Sequence, residues 1–162
     1  MSKGKFNDKI SAEYHPPRKW VLERALSYTN TDLEVDALKE IGVQITKGGK
    51  ITCKKDFVTD LASVPRICWM LIAPWDIARA AIIHDLLYKR IRQYRAKEGD
   101  LTENINAEEV IDNYKSAKKE ADKVFLAAMK DADPSVPKWK IYSAYYSVVL
   151  FGRWSIIPRE ED

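Results

Sequence analysis

The chain has 162 residues, 46% hydrophobic and 31% charged, with a net charge of +3 and a pI near 8.7. That composition fits one soluble globular domain with a real core, excludes a disordered or multi-span membrane chain, and gives no reason to expect nucleic acid as a partner. Cys53 and Cys68 are too few for a disulfide framework or a cysteine-built zinc site.

Residues 1–17 are polar, lack the apolar core of a signal peptide and end in His15-Pro16-Pro17. They read as a flexible N-terminal arm, with synthesis in a reducing cytoplasm. Residues 18–157 read as a single α+β domain. Trp20 to Tyr28 reads as one strand. Thr31-Asp32-Leu33-Glu34 has the spacing of a capping box for a short helix, Leu33 to Ile41, closed by Gly42. Val43–Thr46 and Ile51–Cys53 flank Gly48-Gly49, which supplies the positive φ angles of a tight turn, so a hairpin near 43–53 is expected.

Three helices follow. Trp75 to about Tyr94 carries Ile77, Ala81, His84, Tyr88 and Ile91 on one stripe, and Lys97 to Asn106 reads as a solvated loop. Ala107 to about Lys130 is amphipathic and stopped by Asp133-Pro134. Pro137 to Trp154 is apolar and aromatic and reads as a buried C-terminal helix. Its longest uncharged run, Ile141 to Gly152, is 12 residues, against about 20 for a membrane span. Strands first and helices after predict an α+β fold, a small antiparallel sheet on an antiparallel helical pair.

Ala80-Ala81-Ile82-Ile83-His84-Asp85-Leu86-Leu87-Tyr88 places ionisable groups inside an apolar helix, where an unpaired group costs several kcal/mol. His84 and Tyr88, at i and i+4, share a face. Asp122 flanks the buried stripe of the next helix, and a short connection brings it beside His84. A carboxylate on one ring nitrogen fixes the tautomer and frees the other as a base. The alternative is an ordinary core histidine, with Asp122 paired to Lys118 or Lys119 at the surface.

Asp60, Ser63 and Arg66 lie between a strand and a helix, a common place for site residues. Asp60 and Asp85 are candidate oxygen ligands for a hard cation such as calcium. Ser63 is a candidate nucleophile or a helix cap, and Arg66 a substrate contact or a partner for Asp60 or Asp85. His15, His84-Asp85 and Asp122 also follow the order of a His-Asp metal phosphohydrolase, although the prolines behind His15 suit a loop residue.

The blocks FVTDLASVPR and AAIIHDLLY, then Ala121-Asp122 ahead of Phe125 and Met129, resemble a small domain family of phages and prophages with no assigned function. The resemblance covers roughly residues 20–130. Lys54-Lys55-Asp56 departs from it where a proline- and glycine-containing turn is usual. A looser similarity, two helices long, is to phospholipases acting at the sn-2 ester. It implies that His84 activates water, Asp85 binds calcium, and Tyr88 and Asp122 orient the imidazole; the glycine-rich calcium loop is missing.

Two functions follow as expectations. One is a phage-encoded His-Asp hydrolase of ester or phospholipid substrates. The other is a non-catalytic virion or assembly protein using the same residues as a buried polar network. Phage structural proteins and a lipid surface are the partners to expect, with the protein made in the host cytoplasm and then carried in the particle.

Overall fold

A computed structural model describes residues 3–66, 68, 74–133 and 135–162. Two three-stranded antiparallel sheets precede three helices. The first sheet has the order β1 (Lys5–Phe6), β4 (Leu26–Thr29), β5 (Lys50–Cys53). The second has the order β2 (Ala12–His15), β3 (Lys19–Leu22), β6 (Val58–Thr59). Helices α2 (Pro74–Glu98), α3 (Ala107–Lys130) and α4 (Lys138–Phe151) follow, the last running into a 3₁₀ turn, Gly152–Trp154. No helix among the described residues is long and apolar enough to cross a membrane.

The expected α+β architecture is present, with differences in the strands. Trp20 to Tyr28 is not one strand. Leu22 and Leu26 are both buried, and a continuous strand would put Arg24 on their side. The chain bends at 23–25 instead, Arg24 turns out to Asp8 at 3.3 Å, and β3 and β4 enter different sheets. The expected arm carries β1 and β2. Phe6 packs on Tyr28 with ring centroids 5.1 Å apart. The Asn7 side chain accepts from Ser27 N at 2.8 Å and donates to Ala25 O at 3.1 Å, continuing the pairing that β1 begins.

The 43–53 hairpin shrinks to one bridge, Ile45 to Ile51, across a turn in which Gly49 has φ +75°. β5 spends its ladder on β4, because alternation buries Ile51 and Cys53 against the core. The first helix, α1, is Asp36–Glu40, shorter than expected. Its capping box is not formed; Glu120 of α3 accepts from Leu38 N at 2.9 Å and satisfies one of its exposed donors. Lys54-Lys55-Asp56 makes its turn with Asp56 at φ +68°, a conformation glycine would adopt freely.

Helices α2 and α3 carry the core. Tyr94 meets Asn113 and His84 meets Asp122, so residue numbers fall on one helix as they rise on the other and the pair is antiparallel. Ala81, Ala117, Ala121 and Ala128 are buried small residues at which the helices can approach closely, and Leu87, Ile91, Val124 and Phe125 fill the remainder.

Candidate functional site: a buried histidine network

His84, Asp122 and Tyr88, expected to lie together, do so in the centre of the core. Each is 5% exposed or less. His84 Nε2 is 2.9 Å from Asp122 Oδ1, and the Tyr88 hydroxyl donates to the same oxygen at 2.6 Å. Lys118 Nζ donates to Asp122 Oδ2 at 2.7 Å and to Val148 O of α4 at 3.2 Å. Lys118, half-buried, thus pairs with a buried Asp122 and ties α3 to α4.

Burial pushes the Asp122 carboxyl up, but the His84 N–H and charge and the Lys118 ammonium outweigh it and hold the group below the usual carboxylate range. An ionised carboxylate only accepts, so Nε2 carries a proton, and in the neutral imidazole Nδ1 is then the acceptor. Ser63 Oγ, fully buried, is hydrogen-bonded to Nδ1 at 3.1 Å and is the donor in that tautomer. Burial, and then the Asp122 charge, push the Tyr88 phenol well above its ordinary value, so it stays a donor. The side chains line up as Ser63, His84, Asp122, with Tyr88 and Lys118 closing the carboxylate.

Gly152 closes the cluster from the 3₁₀ turn. A Cβ there would collide with the Tyr88 hydroxyl and lie 3.2 Å from its ring carbons. Its backbone is ordinary, φ −63°, so the requirement is for space alone. Nothing in the local sequence marks Gly152 for this role, whereas Lys118, at i, i+4 from Asp122, is one of the two partners expected for it.

Asp85 points elsewhere. Its Oδ2 accepts from the Thr59 hydroxyl at 2.6 Å, and burial raises its pKa against the lowering effect of that bond. Asp60, Asp85, Glu161 and Asp162 line one cavity of about 240 Å³, shared with Lys19, Lys89, Arg92 and Arg159. Asp60 pairs with Arg159 at 3.5 Å, the role expected of Arg66. Calcium takes six to eight oxygens. Four cations stand among the four carboxylates, Arg159 on Asp60 and Arg92 on Asp162, which makes an ion network, and no group of three or more potential metal ligands occurs among the described residues. His15 lies exposed on β2, 3.5 Å from Glu13.

Arg66 lines a different cleft of about 710 Å³, together with Arg18, Trp20, Leu61, Ala78 and Ile82. Thr59 to Ala62, the segment leading to Ser63, forms part of its wall.

Residues 36–148 match the model of a family described as a protein of unknown function, DUF1353, and the chain belongs to that family. No curated protein and no solved structure matches it.

Proposed function

For this member of the DUF1353 family, we propose a non-catalytic role: Ser63, His84, Tyr88 and Asp122 form a polar clamp inside a phage- or prophage-encoded binding or assembly protein. The phage origin rests on the FVTDLASVPR and AAIIHDLLY blocks. One observation carries the reading. His84 has no exposed surface and both of its ring nitrogens are engaged. A general base needs a nitrogen within reach of substrate or water, and Ser63, itself buried, occupies that place.

As a clamp the cluster joins the segment before α2 to α2, α3 and α4. His84→Ala should then lower stability by about 1–3 kcal/mol, the cost of leaving buried partners unpaired. Ester and phospholipid screens should show no turnover by either protein. Turnover by the wild type that falls about 10²–10⁴-fold in a variant of unchanged melting temperature would replace this reading with a hydrolase.

The hydrolase reading is favoured by the Ser63–His84–Asp122 order beside an apolar cleft carrying Arg18 and Arg66. His84 would take a proton from Ser63, or from water once Ser63 moves aside, while Asp122 and Tyr88 orient the ring. The cleft suits an ester with an apolar acyl group and an anionic head. Covalent labelling of Ser63 by an alkyl fluorophosphonate, read by mass spectrometry, would support it; an unlabelled Ser63 favours the clamp.

A further inference from the structure

Helix α4 is apolar on two opposite sides. Ile141, Ala144 and Val148 face the core and are buried. Trp139, Tyr142, Tyr146, Val149 and Leu150, at i, i+3, i+7, i+10 and i+11, form a second stripe about 100° wide that stands exposed. Phe151 and Trp154, at the helix end and in the 3₁₀ turn, are exposed as well and stack with ring centroids 6.0 Å apart. Of the eleven large apolar side chains exposed among the described residues, eight lie between Trp139 and Ile157. An exposed apolar stripe of this kind marks a surface that meets something apolar.

We propose that this face docks on an anionic lipid bilayer, with α4 lying in the headgroup plane. The proposal does not depend on whether His84 is catalytic. Three features favour lipid. Tryptophan and tyrosine, apolar bodies with a polar edge, suit the membrane–water boundary. From Pro137 to Arg159 the chain has no acidic residue and carries Lys138, Lys140 and Arg153. Cations also flank the rings: Lys130 lies 5.2 Å from the Tyr142 centroid and the Arg153 guanidinium 4.2 Å from that of Trp154.

A second copy of this chain is the poorer occupant, because two-fold pairing would set these cations against each other with no acid in the 137–159 segment to neutralise them. Insertion across the bilayer is excluded by size. The 14-residue helix is about 21 Å long against a hydrocarbon core of about 30 Å, and its other side is committed to the core.

Flotation of the full chain with phosphatidylcholine vesicles, with and without phosphatidylglycerol, tests the proposal. Binding to the anionic vesicles, weakening as salt rises, is expected. Lys138→Ala/Lys140→Ala/Arg153→Ala should lower that partitioning on the order of 100-fold. Trp139→Ser/Leu150→Ser/Trp154→Ser should lower it at least about tenfold, and both variants should keep the wild-type melting temperature. If the aromatic triple variant does not fold, Leu150→Ser alone serves, since that side chain is 62% exposed.

Protein left unbound by both vesicle types overturns the proposal. So does binding that neither variant alters. A concentration-dependent dimer that the aromatic variant disperses, without vesicle binding, assigns the face to a second copy.

Discussion

Two regions of this molecule invert the usual placement of polar and apolar groups. Between α2 and α3, a histidine, a carboxylate and a phenol are buried; on the outer side of α4, tryptophan, tyrosine and leucine face water. The inner region is complete. Among the described residues no buried side-chain nitrogen or oxygen is without a hydrogen-bond partner, so these groups need nothing from outside the chain. The outer region is open, since its rings contact one another and a few cations. Removing one member of a closed network strands its partners, whereas removing one member of an open face strands nothing. That difference ranks the consequences of mutation.

Asp122→Ala should have the largest effect. Asp122 accepts from His84, Tyr88 and Lys118, and its loss leaves two buried donors unpaired and the half-buried Lys118 ammonium with the Val148 carbonyl alone. The expected cost is about 3–5 kcal/mol, or roughly 6–20 °C in Tm. Urea unfolding measures it. A cost under about 1 kcal/mol would show that water reaches the cluster and that the region is not closed.

Gly152→Ala comes next. The added methyl displaces Tyr88, with an expected loss of about 1–3 kcal/mol. Tyr88→Phe removes the hydroxyl that the methyl meets, so the double variant should cost less than the sum of the two singles. Additive costs would place the strain elsewhere, in the 3₁₀ turn or its neighbours.

These two sites differ in how far they were legible in the sequence. The Asp122 cluster follows from local rules, because i, i+4 spacing aligns His84 with Tyr88 and a short loop returns α3 antiparallel to α2. The α3 limits, Ala107–Lys130, agree with the sequence pattern for the same reason. Gly152 meets Tyr88 only through the tertiary path of α4, and its own neighbours contain no trace of that contact. The strands were obscured in the same way. Lys5 pairs with Thr29, and β5 leaves its sequence neighbour for β4, choices made by which side chains reach the core. Thr59 as the partner of Asp85, and Glu120 as the cap of α1, are likewise long-range pairings that no local pattern encodes.

Asp85 separates two buried carboxylates by the sign of their pH response. Asp122 lies below its ordinary pKa, so the unfolded chain binds its proton first; its contribution is complete above the unfolded pKa and is lost as pH falls through the folded one. Asp85 is raised, so the folded chain holds its proton longer, and stability falls as pH rises from the unfolded pKa through the folded one. Asp85→Asn keeps an acceptor for the Thr59 hydroxyl and removes the titration. The variant should be at least as stable as wild type at neutral pH, with a flatter decline from mildly acidic to neutral conditions. Denaturant midpoints across that range decide it; a variant less stable than wild type only at the neutral end would mean that the Asp85 charge is needed, with Arg92 a cation acting on it.

The smallest effect on folding is expected on the outer face of α4. Tyr146 is 57% exposed and Leu150 62%, so each contributes little area to the core and strands no partner when truncated. Tyr146→Ser and Leu150→Ser should change unfolding free energy by no more than about 0.5 kcal/mol. The same helix supplies its own control, because Val148 is fully buried and its carbonyl receives Lys118. A loss above about 1 kcal/mol from Leu150→Ser would mean that the outer stripe belongs to the fold. A null result places the stripe outside the folding unit, where only an external partner gives its five exposed apolar side chains something to bury against.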